Sequence, residues 1–247
     1  MNQISLSGLP LGAPLYQEVK RKIMESLRSG EWKPGEIIPS EKRLGERFGV
    51  SIGTVRKAVD ELVAENILIR HQGRGTFVTS HTHDRYVFAF FHIIGQDGHK
   101  EYPKVELEAF ASIKADADMA QRLGIRTGSK LFRLTNRLSI AGKPLIVDDI
   151  HVPERSFPHL TAETVRNRPG TLYQLYQDNF AVAVLRTEER LRACLADERL
   201  ASLLEVEVGA PLLHIVRLAL SFNDLAVELR HSYVNTAHHE YFAEEHQ

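Results

Sequence analysis

Two blocks of sequence decide the fold: Pro39-Ser40-Glu41-Lys42-Arg43-Leu44 and, three residues later, Phe48-Gly49-Val50-Ser51-Ile52-Gly53-Thr54-Val55-Arg56-Lys57-Ala58. Pro39 breaks the chain and Ser40 can cap a new helix, which should run from about Glu41 to Phe48 and bury Leu44 and Phe48. Gly49 suits a tight turn. Ser51 is a second capping residue, and Val55, Val59, Leu62 and Val63 mark the buried face of a further helix reaching about Glu65. Two short helices around so short a turn form a helix-turn-helix, whose second helix can lead into a DNA major groove with its N-terminal residues.

Upstream, Leu15, Val19, Ile23 and Leu27 recur every four positions along one face of a helix that ends near Gly30, before the turn residues Trp32-Lys33-Pro34-Gly35. Downstream, Ile67 to Arg70 and Thr76 to Val78 read as strands joined by His71-Gln72-Gly73-Arg74-Gly75, a hairpin with a basic tip. The glycines at 73 and 75 let backbone approach another molecule closely. Arg74 between them can reach a narrow groove or a phosphate.

Taken in order, these blocks with Gly73-Arg74-Gly75-Thr76-Phe77-Val78 closely resemble the DNA-binding domain of the GntR family of bacterial regulators. The resemblance implies that Lys42, Ser51, Gly53, Thr54, Arg56, Gly73, Arg74 and Gly75 face DNA. Their chemistry suits the role: Lys42 and Arg56 can neutralise phosphate, and Ser51 and Thr54 can donate hydrogen bonds near a helix N-terminus. Ile52 stands where many members carry an arginine able to read guanine, so the family's common half-site does not transfer. Lys42 replaces a usual arginine, which keeps the charge and loses the planar fork.

Beyond residue 80 the pattern changes. Thr79 to Tyr86 is polar and aperiodic, and 80–86 reads as a linker between a first domain at 11–79 and a second at 87–247. Strands are expected over Val87–Ile94, Val105–Ile113, Lys130–Ser139, Leu145–Val152, Ala183–Ala193, Leu212–Ser221 and Ala226–Val234, and helices over Asp118–Leu123, Leu172–Gln177 and Asp197–Leu204. Ala141-Gly142 and Asn223-Asp224 are hairpin-length connections, so the sheet should be largely antiparallel. The fold class expected is two domains: an N-terminal α/β winged helix-turn-helix and a C-terminal α+β domain, an antiparallel sheet with helices. No Gly-x-Gly-x-x-Gly follows a strand, and there is no phosphate loop.

This second half resembles the UTRA effector domain of the HutC subfamily within GntR. The resemblance rests on Gly124, Lys130 to Arg137 leading to Gly142-Lys143-Pro144, Asp148 to Pro153, Thr171 to Leu175, Glu188 to Ala193, Gly209 to Leu213, and Val227-Glu228-Leu229. It implies a chorismate-lyase-like fold that binds a small-molecule effector without turnover, and a homodimer held mainly through this domain. The effector-binding residues it implies are Arg133, Arg137, Asp148 and Glu228, with Asn136 at one position where arginine is expected; Arg230 and Tyr233 join them because they follow Glu228 at even or near-even strand spacing. Arg230 shares the strand face of Glu228. Arginine grips carboxylate or phosphate through paired hydrogen bonds, which favours an anionic ligand.

Composition agrees with that division. Of 247 residues, 43% are hydrophobic and 26% charged, as in ordinary globular protein. The net charge of -1 is unevenly spread: residues 11–80 carry 12 Lys and Arg against 9 Asp and Glu, whereas the remainder carry 19 against 23. The lone cysteine, Cys194, has no partner for an internal disulfide, and no apolar run nears the roughly 18 residues of a membrane span, so a cytoplasmic protein without membrane contact is expected. His81 and His83 flank one residue, a spacing that could put both on a metal, but twelve histidines make such pairs common by chance, and His238-His239-Glu240 lacks the His-Glu-x-x-His spacing of a zinc peptidase, so neither a metal nor another cofactor is expected. No nucleophile elbow or Cys/His constellation supports catalysis. The function expected is therefore a ligand-responsive DNA-binding transcription regulator, a repressor released from double-stranded operator DNA by a small anionic metabolite. The alternative is a chorismate-lyase-like enzyme domain carrying a DNA-binding module.

Overall fold

A computed structural model describes residues 14–33, 35–65, 67–79 and 91–243, and the chain divides into two compact units between residues 81 and 82. The linker at 80–86, His81, His83 and the start of the strand expected at Val87 lie outside the described residues.

In the first unit α1 spans Leu15–Arg28, α2 Glu41–Phe48 and α3 Ile52–Ala64. The Ser40 hydroxyl accepts from the Arg43 amide at 3.4 Å and starts α2, which stops at Gly49 in the left-handed conformation. The Ser51 hydroxyl accepts from the Thr54 amide at 3.1 Å and starts α3. Gly45 lets α2 approach that turn, because a Cβ there would stand 3.0 Å from the Val50 carbonyl oxygen. Val19, Ile23, Leu27, Leu44, Phe48, Val55, Val59 and Leu62 form the core between the helices. Leu15 departs from the expected stripe and is exposed, since it begins the helix beyond the reach of that core. Strands β1, Leu68–His71, and β2, Gly75–Val78, pair antiparallel, and Ile37 makes a single antiparallel bridge to Phe77. Gly75 is required there: its φ is +115°, and a Cβ would come within 2.8 Å of Ile37 Cδ1.

The second unit is built on one six-stranded antiparallel sheet. Its strands are β4 Lys104–Lys114, β5 Lys130–Ile140, β6 Lys143–Pro153, β7 Arg186–Leu195, β8 Pro211–Leu220 and β9 Ala226–Val234. They lie in the order β4-β5-β6-β9-β8-β7. Ala141 and Gly142, with φ of 48° and 77°, make the tight hairpin between β5 and β6. The β8–β9 connection is a 3-10 turn at Phe222–Asp224. Two short strands, β3 Ile93–Gly95 and β10 His239–Tyr241, pair with each other in a separate antiparallel ribbon and tie the end of the second unit back to its own first described residues. β10 has no period long enough to be read in advance.

Helices cover both faces of the sheet. α4, Ala117–Leu123, and α7, Glu198–Leu204, pack on one face around Leu131, Leu229 and Val147. α5, Ala162–Arg166, and α6, Leu172–Phe180, pack on the other around Leu134, Ile150 and Val227. Each is capped by the residue before it, Asp116, Asp197, Thr161 and Thr171 respectively. No helix among the described residues is long and apolar enough to cross a membrane.

Candidate DNA-contact surface and ligand cleft

The N-terminal turn of α3 is presented to solvent. Ser51, Ile52, Gly53 and Arg56 are exposed and Thr54 is half-buried, while Val55 and Val59 turn inward. The Ser51 oxygen is committed to capping, and its hydroxyl also lies 2.8 Å from Thr54 Oγ1. Lys42 is exposed on the first turn of α2. Arg56 Nε donates to Glu41 Oε2 at 2.9 Å, and Arg70 on β1 donates to Glu41 Oε1 at 3.0 Å. One carboxylate therefore brings the start of α2, the outer face of α3 and the first wing strand onto a common surface. Gly73, Arg74 and Gly75 are exposed at the hairpin tip, with the Arg74 guanidinium over the Phe77 ring. Glu41 and Arg70 are the residues sequence reading missed here; an acid beside basic neighbours carries no pattern that separates it from a solvated one.

The second unit holds a cleft of about 610 Å³, its open mouth included, on the α5–α6 face of the sheet. Apolar side chains such as Phe91, Leu138 and Ile215 form much of its wall, and its polar base is a network of ion pairs. Arg230 donates to Asp148 Oδ2 at 3.0 Å and, through Nε and Nη2, to both oxygens of Glu228 at 2.9 and 3.1 Å. Glu228 also accepts from the Tyr173 and Tyr176 hydroxyls at 3.1 and 2.8 Å, and Ser232 donates to Asp148 at 2.5 Å. Burial pushes the Asp148 carboxyl upward against the pull of Arg230 and Ser232, and burial with the nearby Glu228 charge pushes the Tyr176 hydroxyl up. Beside this group Arg217 donates to Glu189 at 2.5 Å and the Tyr241 hydroxyl donates to the same carboxylate. Burial works to raise Glu189, but Arg217 and the two hydrogen bonds outweigh it and hold the group below its ordinary value.

The expected ligand residues divide. Asp148 and Arg230 line the cleft, and Glu228 sits directly behind Arg230. Arg133, Arg137 and Tyr233 do not reach it, because they occupy the strand positions that point to the opposite face. Arg133 is exposed there, Arg137 is ion-paired with Glu108 and Glu106 of the neighbouring edge strand, and Tyr233 stacks on His214 with centroids 4.6 Å apart. On β5 the cleft is lined instead by Asn136, whose Oδ1 is buried without a hydrogen-bond partner among the described residues. Arg168, Arg217, Ser232 and Tyr241 are further cleft residues that sequence reading missed. Arg217 sits opposite Arg230 in register, and two arginines paired across a sheet signal carboxylates nearby, whereas Arg168 lies between helices and carries no periodic signal.

Family comparison gives these surfaces a context. The pattern of the gntR family of bacterial regulatory proteins matches residues 15–78, and that of the UTRA domain matches residues 98–240. The chain belongs to the GntR family of bacterial regulators. Its UTRA domain and its likeness to histidine utilization repressors place it in the HutC subfamily. The histidine utilization repressor of Pseudomonas putida is 30% identical over 210 residues, covering 83% of this chain and 82% of that one. The mannosyl-D-glycerate transport/metabolism system repressor of Escherichia coli strain K12 is 29% identical over 205 residues, covering 82% and 84%. Among solved structures, the ligand-binding domain of a GntR-family transcriptional regulator from Bordetella bronchiseptica superposes with a TM-score of 0.60 at 28% identity, covering 64% of this chain and 98% of that one. The relatives are named as transcriptional repressors, and the GntR assignment agrees with the winged helix-turn-helix followed by an α+β sheet domain.

The face away from the cleft carries a second polar group. Arg192 donates to His214 Nδ1 at 2.9 Å, His214 Nε2 lies 3.0 Å from His231 Nδ1, and the His151 ring meets His231 edge-on. Among the described residues no group of three or more His, Cys, Asp or Glu side chains is arranged to hold a metal ion. Burial, then the neighbouring His231 and Arg192, lowers His214 to about 4, and burial likewise lowers His151 and His231. Since the folded-state values lie below the unfolded one, the neutral cluster contributes stability that is fully present above about pH 6.5 and is lost as the pH falls toward 4. The urea midpoint should fall across that window in the native sequence and much less in His214→Phe. An equal fall in both proteins would place the acid sensitivity elsewhere.

Proposed function

We propose that this GntR-family protein is a cytoplasmic homodimeric repressor, bound to operator DNA through its first unit and released when a small polar metabolite fills the cleft of its UTRA domain. The observation that carries the reading is the exposed, Ser51-capped N-terminus of α3 standing on the same surface as Lys42, Arg56 and Arg70. A helix N-terminus with basic side chains around it suits phosphate, and the groove takes the turn that leads. In this reading Lys42, Ser51, Gly53, Thr54, Arg56, Gly73, Arg74 and Gly75 meet DNA, and Ile52 meets a base edge by apolar contact alone.

For the effector, Asn136, Asp148, Arg168, Arg217 and Arg230 supply the polar contacts, with Glu228 holding Arg230 in place. Arg168 and Arg217 favour an acidic group on the effector, and the unpartnered Asn136 oxygen calls for a hydroxyl or N–H donor. The two relatives above are named for systems that handle chemically different compounds, so the effector follows from the cleft rather than from the family. Ligand binding then shifts a dimer between two spacings of its recognition helices, only one of which fits half-sites about one DNA turn apart.

The test pairs thermal melting with operator binding across histidine, urocanate, phosphosugars and sugar acids. The active compound should raise the melting temperature and weaken DNA binding together; tight binding that leaves DNA affinity unchanged would defeat the reading. Arg56→Ala should weaken binding to every duplex and flatten its salt dependence by about one contact's worth. Asn136→Leu should keep or raise ligand-free stability, because it removes a buried unpaired acceptor, and should abolish the effector's melting shift. Undiminished effector response in that variant would remove Asn136 from the site.

A further inference from the structure

The DNA-contact surface contains an acid that should not help it. Glu41 opens α2, and its side chain is about one quarter exposed amid Lys42, Arg43, Arg56 and Arg70. A carboxylate facing a polyanion repels it, so its presence needs a reason that outweighs the repulsion. The geometry supplies one. Glu41 Oε2 takes only the Nε–H of Arg56, at 2.9 Å, and the side chain is otherwise largely exposed, with no acceptor for its two Nη groups among the described residues. Glu41 Oε1 takes Arg70 at 3.0 Å, and the other nitrogen of Arg70 is held by Asp60 on α3. The same carboxylate thus fixes one cation on the recognition helix and another on the strand that leads into the wing.

We propose that Glu41 is a positioning residue for DNA binding: it turns the Nη edge of Arg56 outward and holds Arg70 in register with it, so that recognition helix and wing engage one phosphate backbone together. The inference rests on the DNA-binding reading above and adds a residue which that reading does not contain. An arginine already held in its binding rotamer loses less side-chain freedom on contact, and a bidentate approach to phosphate becomes available at once. Positioning and simple charge predict opposite signs. Removing an acid from a cationic surface should strengthen binding if only net charge counts, and should weaken it if the acid orients the cations.

The experiment takes a short duplex selected from a random pool with the full-length native protein, and measures affinity over a salt series for native, Glu41→Gln and Glu41→Asp proteins. Glu41→Gln should bind about ten-fold more weakly and lose about one unit of salt slope, as expected for phosphate contacts no longer made. Glu41→Asp keeps the charge but is one methylene too short to span Arg56 and Arg70, so it should weaken binding as well. It also decides the matter should the glutamine variant fold poorly, which melting curves would reveal. In an Arg56→Ala background the part of the Glu41→Gln effect carried through Arg56 should vanish, leaving only the part carried through Arg70. Equal or tighter binding by Glu41→Gln, with the native salt slope, would overturn the proposal and leave Glu41 as a competing anion. Failure of the native protein to bind any selected duplex would instead overturn the DNA-binding reading itself.

Discussion

Arg230→Met should cost the sheet unit roughly 3–5 kcal/mol, the largest stability loss expected from any single exchange in the cleft. Methionine fills similar volume, so little of the loss comes from packing. Arg230 is the cation between Asp148 and Glu228, which are 3% and 0% exposed, and without it two carboxyls remain buried with no opposite charge bonded to either among the described residues. Tyr173, Tyr176 and Ser232 would still donate to them, but neutral donors do not repay the desolvation of two anions. The Asp148 carboxyl, which burial already pushes upward, loses the pull of Arg230 and should take up a proton more readily when folded than when unfolded, so the variant gains stability as the pH is lowered, opposite to the histidine cluster on the far face. Chemical denaturation at neutral and mildly acidic pH measures both effects. Adding Glu228→Gln and Asp148→Asn should restore much of the loss. A loss of about 1 kcal/mol or less, the range of a surface ion pair, would mean that solvent already reaches the network.

That result bears on how effector variants are interpreted. A variant of Arg230 that no longer responds to ligand reports a damaged cleft as readily as a missing contact. Asn136 is the cleaner probe, since its oxygen bonds to nothing else among the described residues.

The same strand explains where sequence reading ran out. Around α2 and α3 local chemistry is decisive: Ser40, Gly49 and Ser51 are caps and a turn at fixed offsets, and the helices begin and end where those residues require. The hairpin at Ala141-Gly142 is legible for the same reason. β5 is different, because helices cover both faces of the sheet and the strand has no polar side to alternate with. Leu131 and Phe132 are both buried, as are Leu134, Thr135 and Asn136 in succession. Without alternation the phase of the strand is undetermined, and a slip of one residue exchanges Asn136 for Arg137 at the cleft. Arg137 looked like a ligand group by type; its partners Glu106 and Glu108, on the edge strand β4, are visible only once the pairing of β4 with β5 is known. Arg168 needed the packing of α5 and α6 before it could be placed at all.

Gly53→Ala should separate folding from function: the protein becomes more stable by about 0.5–1 kcal/mol, and its duplex binding weakens by about ten-fold or more. Gly53 is the second residue of α3 and is exposed, with ordinary helical backbone geometry. A Cβ there would meet only the Ser51 hydroxyl, at 3.8 Å, so no contact among the described residues calls for glycine. Gly75 makes the contrast, since its positive φ and its closeness to Ile37 are reasons internal to the fold. Helix propensity favours alanine at position 53, and the cost of glycine is repaid only if something outside the chain must come closer than a methyl group permits. On the proposed surface that object is the sugar-phosphate backbone beside the leading turn of the helix, where amides donate to phosphate over short distances. The weakening should therefore extend to duplexes of any sequence, unlike an exchange at Ile52, which should act on particular base pairs. Higher stability with undiminished affinity would show that the leading turn of α3 stays clear of the backbone, and the helix would have to meet the groove by another edge.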